Sequence, residues 1–170
     1  MRTFLMVGLV VAAFAVNGFG QKCKEYSPAG SSFAFCPPEG WVGTLKDGDK
    51  YVSYDAPLPK TEIGGHLTVS EDKVTEGRDE LAFGLVKSYL QGPKFTNKRL
   101  IMAGDLETLS GLKGTFIVFY LTENGLDFAQ AYYIVEGPKS AKYTFILTTA
   151  QNRPEVAKIG EAAIMTVRVK

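Results

Sequence analysis

The stretch Gly114–Val135, GTFIVFYLTENGLDFAQAYYIV, holds two runs of strand-forming residues on either side of Asn124-Gly125. Asn-Gly tolerates the positive φ angles of a two-residue hairpin turn, so the two runs read as antiparallel neighbours. Phe116 to Leu121 is apolar at nearly every position. Loss of in-out alternation implies a central strand covered on both faces. A sheet of this kind needs something to lie on it from each side.

Outward from the hairpin, EGPKSAK (136–142) makes the next turn and YTFILTT (143–149) the next strand. Upstream, RLIMAGDLETL (99–109) reads as one or two strands, interrupted at Gly104-Asp105. Further back the period changes. In GRDELAFGLVKSYLQGP (77–93), Leu81, Leu85 and Tyr89 recur at four-residue steps with Ala82 and Val86 beside them, which is the stripe of an amphipathic helix. Asp79 and Glu80 suit its positive N-terminal end, and Gly92-Pro93 stops it. KYVSYDAP (50–57) and IGGHLTVSEDKV (63–74) read as two strands, and SSFAFCPPEGW (31–41) as a short strand stopped by Pro37-Pro38. After Asn152, RPEVAKIGEAAI offers Pro154 at a helix start and a stripe of Val156, Ile159 and Ala163, before a short closing strand in MTVRVK (165–170). Helices that alternate with hairpins argue for an α+β fold on an antiparallel sheet.

The 170 residues suffice for one domain with a hydrophobic core. Nineteen basic against eighteen acidic side chains leave a net charge of +1. That balance speaks against nucleic acid, whose phosphates are met by clustered Lys and Arg. No run of like charges suggests an electrostatic membrane patch. Residues 1–20 have one basic residue, Arg2, an apolar run from Phe4 to Val16, and small residues at Gly18 and Gly20. This is the order of a secretory signal peptide, and the run is too short to span a bilayer. The mature chain is therefore expected to be exported, periplasmic or secreted, with no transmembrane span after cleavage. Cys23 and Cys36, an even pair in an oxidising compartment, are expected to form a disulfide. Residues 21–30 become a leader tied down by that bond, and 31–170 a single domain.

Catalytic, cofactor and metal motifs are not found. The sequence has no Gly-x-Ser-x-Gly elbow and no phosphate loop, and both cysteines are taken by the disulfide. KDGDK (46–50) places Asp47 and Asp49 close together but lacks the other ligands of a calcium loop, and reads as a solvated turn. His66 is the single histidine. With no second histidine and no carboxylate at ligand spacing beyond Glu71-Asp72, it reads as a surface or turn residue; a hydrolase built on His66 is the alternative. The strand aromatics lack the basic groove of a nucleic-acid platform and read as packing.

Taken in order, these segments resemble the PsbP-like family, named for an extrinsic protein of the photosynthetic oxygen-evolving complex and shared by a Ran-binding regulator and bacterial exported proteins. FAFCPPEGW (33–41) resembles its entry hairpin, an aromatic strand running into Pro-x-Gly-Trp. YVSYDAPLPKTEIGGHLTVSEDKV (51–74) is similar to its next strands, LSGLKGTFIVFY (109–120) to the entry of its central strands, and AAIMTVRVK (162–170) to its last helix and strand. The resemblance implies an antiparallel sheet sandwiched between helices, with no catalytic or cofactor residue. It also implies an accessory role in which the chain binds a protein partner. A small-ligand or lipid carrier, with a pocket between helix and sheet, is the other reading. The cysteine pair has no counterpart in the family pattern.

Overall fold

The computed structural model describes residues 23–44, 51–57 and 64–170. The signal-peptide segment and the Asp47/Asp49 turn lie outside the described residues. Along the chain run β1 (Phe33–Ala34), β2 (Val42–Thr44), β3 (Tyr51–Asp55), β4 (His66–Lys73) and α1 (Arg78–Gln91). Beyond them come β5 (Thr96–Glu107), β6 (Lys113–Glu123), β7 (Leu126–Glu136), β8 (Ala141–Ala150), α2 (Pro154–Met165) and β9 (Arg168–Val169). Seven strands form one antiparallel sheet in the order β2-β3-β4-β8-β7-β6-β5. The meander β5 to β8 is thus continued by β4, which pairs with β8.

The hairpin at Asn124-Gly125 is formed as its residues require. Both take positive φ, 53° and 79°, and Glu123 faces Leu126 across the turn. On β6, Ile117, Phe119 and Leu121 point to one face and pack under Ala82, Leu85, Val86 and Tyr89 of α1. Phe116 and Val118 point to the other, toward the cluster that holds Ile164 and Val167 at the end of α2. Each buried aliphatic or aromatic side chain contributes about 1.5–3 kcal/mol relative to exposure. One helix therefore covers each face, and the architecture is an α/β/α sandwich.

Several expectations shift. β5 runs unbroken through Gly104-Asp105; its irregularities are two register shifts, one between Thr96 and Arg99 and one between Leu100 and Met102, with Ile101 as the extra residue of the second. Such a bulge twists a strand that stands at the sheet edge and guards it against pairing with another chain. On α2, Ile159 is exposed and Gly160 lies against the sheet instead. A Cβ there would stand 2.6 Å from Leu147 Cδ1, so the helix approaches more closely than an isoleucine allows.

The entry segment forms no hairpin with β2. Instead β1 pairs with β9, Phe33 opposite Val169, and Tyr26 bridges Phe35. Phe33 and Phe35 are fully buried against Tyr143, Phe145 and Tyr54, in ring contacts of 4.6–6.1 Å. The Cys23–Cys36 disulfide closes this segment. Glu25 reinforces it with a two-pronged ion pair to Arg168 at 2.8 and 2.6 Å. Among the described residues, no helix is long and apolar enough to cross a membrane.

Candidate functional site

α1 lies over β5, β6 and β7. The rest of that face is built by β3, β4 and β8, and the direction of each side chain there is set by strand alternation. Val52, Tyr54, Leu67, Val69, Phe145 and Leu147 enter the α2-side core. Ser53, Asp55, His66, Thr68, Ser70, Thr144 and Thr148 therefore stand on the α1 side, and all are exposed or partly exposed. Half of this face is thus a polar, hydroxyl-rich surface with the single histidine in it.

His66 opens β4 directly opposite Asp55, the last residue of β3. Its Nδ1 lies 2.6 Å from Asp55 Oδ1, and its Nε2 lies 3.1 Å from Thr68 Oγ1. An ionised carboxylate accepts but does not donate, so Nδ1 carries the proton and Nε2 accepts from the Thr68 hydroxyl. The imidazole is fully engaged in one tautomer. The His66 and Asp55 side chains are 44% and 57% exposed, and a hydrogen-bonded pair so open to solvent contributes about 0–1 kcal/mol. It orients the ring more than it holds the fold.

The residue before His66 fixes its position from beneath. A Cβ on Gly65 would lie 2.4 Å from Trp41 Cη2 and from Val156 Cγ1. Trp41, the last residue of FAFCPPEGW, thus closes over the backbone that presents His66. On β8, Thr148 stands opposite both His66 and Gln130. Gln130 Nε2 donates to Thr148 Oγ1 at 2.9 Å, and Gln130 Oε1 accepts from Tyr89 Oη at 2.6 Å. Tyr89 and Tyr132 also bond each other. Burial pushes both hydroxyls above the ordinary tyrosine range, so they stay neutral donors. A polar line thus runs from Asp55 across four strands to the edge of α1.

The arrangement places acid, imidazole and hydroxyl in the order of an activated nucleophile. It lacks the other half of that chemistry. β4 lies between β3 and β8, so the backbone N–H groups around Thr68 serve the two ladders, and none is aimed at a developing oxyanion. Among the described residues no three His, Cys, Asp or Glu side chains cluster as a metal would need. Two open clefts flank α1. One of ≈590 Å³ is lined by Arg78, Asp105, Glu107, Lys113 and Glu136, and one of ≈280 Å³ by Phe95, Phe128, Gln130 and Thr148.

No family model and no curated relative matches the sequence. Solved structures do match. Cyanobacterial PsbP (CyanoP) from Synechocystis sp. PCC 6803 superposes with a TM-score of 0.61 at 16% identity, over 86% of this chain and 92% of that one. The fold is PsbP-like. Two further PsbP-like structures match with similar coverage. The Saccharomyces cerevisiae Ran-binding protein Mog1p gives a TM-score of 0.59 at 9% identity, over 86% of this chain and 94% of its own. Mycobacterium tuberculosis LpqN, described as involved in cell envelope biogenesis, gives 0.60 at 11%, over 89% and 87%.

Within this PsbP-like frame, the sequence expectation for His66 is corrected in one respect. It is a strand residue on a polar face with a carboxylate and a hydroxyl in reach. Asp55 escaped notice because it is eleven residues away in sequence. The available clue was positional: the last residue of one strand and the first of the next face each other once the two form a hairpin.

Proposed function

We propose that this chain is an exported, non-enzymatic accessory domain that binds a protein partner through the open half of its sheet and assists assembly or stability of an envelope or extracellular complex. The observation that carries the reading is the uncovered face itself. Ser53, Asp55, His66, Thr68 and Thr148 form a flat polar surface whose imidazole is already satisfied and oriented. Preorganised hydrogen-bonding groups on a rigid sheet suit recognition, because little side-chain freedom is lost on binding. The PsbP-like neighbours support it: one is described as Ran-binding and another as taking part in cell envelope biogenesis. The signal-peptide pattern and the disulfide support export.

A photo-crosslinking amino acid at Ser53 or Thr148 tests this in envelope preparations, with the same group at Glu155 on α2 as control. Position-dependent crosslinks to one partner, weakened by Thr68→Arg, are expected. Equal crosslinking from the control site, or none from the sheet face, refutes the reading. The acid–imidazole–hydroxyl line favours a second reading, a hydrolase using His66, and ester turnover abolished by His66→Ala would establish it. A lipid carrier finds less support, since the larger cleft is lined by charged groups rather than by apolar walls.

A further inference from the structure

A second surface lies on the far side of α1. Between Glu80 and Asp105 the sequence contains Lys87, Lys94, Lys98 and Arg99 and no acidic residue. The same span contributes five exposed apolar side chains: Phe83 (71% exposed), Leu90, Leu100, Ile101 and Met102 (53%). In sequence the cations are spaced apart. The fold draws them together, because α1 and β5 run antiparallel side by side. Arg78 at the start of α1 ion-pairs Asp105 near the end of β5 at 3.1 Å. Lys98 near the start of β5 donates to the carbonyl of Gly92 just past the end of α1.

Helical handedness decides which flank is involved. Ala82, Leu85, Val86 and Tyr89 face the sheet, and Tyr89 reaches Gln130 and Tyr132 on β7. Phe83, Lys87 and Leu90 lie about 100° further round, next to Val86 and away from Leu85, and so overhang the β5 side. The Ile101 bulge exposes the apolar run of β5 on that same rim while spoiling the edge for strand addition. Leu100, opposite Phe119, points to the α1 side of the sheet, whereas Arg99 and Met102, opposite Tyr120 and Val118, point to its other face. Lys94 lies 4.0 Å from Glu123, and Arg99 sits over the Tyr120 ring at 5.7 Å; both remain exposed.

We propose that this rim docks on an anionic lipid bilayer, with Phe83, Leu90, Leu100 and Ile101 entering the headgroup region and Lys87, Lys94 and Lys98 meeting lipid phosphates. Lysine is depleted from protein interfaces but abundant where a protein meets anionic lipid, and the three cations here are all lysines. The assignment is independent of the partner-binding surface, which lies beyond the other flank of α1, on β3, β4 and β8. Together the two surfaces hold a partner beside a membrane.

The test is co-sedimentation of the protein with vesicles of 70% phosphatidylcholine and 30% phosphatidylglycerol, against pure phosphatidylcholine, with soluble polyglutamate as competitor. Binding to the anionic vesicles alone is expected, weakening steeply between 50 mM and 500 mM NaCl. Each cation removed should cost about fivefold, so the pair Lys87→Ser and Lys94→Ser should weaken binding roughly 25-fold. Phe83→Ser with Leu90→Ser should weaken it at least tenfold in low salt, with unchanged circular dichroism and melting temperature. Thr68→Arg, on β4 with three strands between it and β5, should leave vesicle binding intact. No binding to anionic vesicles at 50 mM salt, or variants that bind like the parent, overturns the proposal. Tight binding to polyglutamate without vesicle binding overturns it in favour of an acidic protein.

Discussion

Replacing Cys23 and Cys36 together by alanine removes the covalent tie on the entry segment. Its consequence can be worked from the structure. The cross-link spans 13 residues, and restricting the unfolded chain over a loop of that length is worth about 3 kcal/mol in the chain-entropy model. The folded state loses little else. Tyr26 and Phe35 exchange backbone hydrogen bonds of 2.9 and 3.0 Å, the Cys36 N–H donates to Thr166 Oγ1 at 2.8 Å, and Glu25 holds Arg168. The segment should therefore stay docked without the bond, with the loss appearing as global stability. For a unit of this size, 3 kcal/mol corresponds to a melting temperature about 6–12 °C lower. In urea the midpoint should fall by ~1.5 M if the slope is near 2 kcal/mol/M. Urea melts of the double variant, and of the parent with and without reductant, measure this. An unchanged midpoint refutes the reasoning. So does rapid amide exchange at Tyr26 and Phe35 of the folded variant, which would show that the bond alone holds the segment in place.

Gly65→Ala forces a methyl into Trp41 and Val156, and overpacking of this kind costs about 1–3 kcal/mol; a thermal melt should show it, and adding Val156→Ala should recover part of the loss. Lys139 and Ser140 both take positive φ, 54° and 63°, so Ser140→Gly should stabilise by about 1 kcal/mol through relief of the left-handed strain, and a lower urea midpoint would contradict this. Burial raises the hydroxyl pKa of Tyr54, Tyr132, Tyr133 and Tyr143 above the ordinary value. The unfolded chain then loses these protons first, so their contribution is complete below pH 10 and is lost as pH climbs beyond it. Tyrosinate absorbance should rise together with loss of circular dichroism, and a tyrosinate signal that precedes unfolding would count against it. Glu25 is held below the usual carboxylate range by the Arg168 guanidinium beside it. The stability difference between the parent and Glu25→Gln should therefore be present at pH 7 and vanish as pH falls through the acid range; a constant difference would show the pair to be irrelevant.

How much of this was legible in the sequence depended on how local each cause was. The Asn124-Gly125 hairpin, the two-faced β6 and the α1 stripe are decided by neighbours a few residues apart, and they stand as read. Glycine marks a weak strand position, which points to Gly104-Asp105 for the break in β5. The sheet instead places one irregularity between Thr96 and Arg99, where Asn97 takes positive φ, and one at Ile101, where no residue advertises it. The pairing of β1 with β9 joins opposite ends of the chain and leaves no local trace. Asp55 and His66 meet only when the β3–β4 register is known. The basic rim was invisible for the same reason, since its cations are scattered along the sequence and fall on one flank only after α1 lies along β5.

The union of β1 with β9 also bears on when the fold can close. β9 comes after every other element, so a chain that emerges from a pore with its amino end first cannot complete this pair until the whole sheet and both helices have passed through. Phe33 and Phe35 can dock on Tyr54, Tyr143 and Phe145 before that, but the backbone of β1 stays unpaired meanwhile, and bringing segments more than a hundred residues apart together costs about 4 kcal/mol in loop closure. The first strand acts as a clasp that only β9 can fasten, so a chain threaded through such a pore would stay pliable until its passage was over.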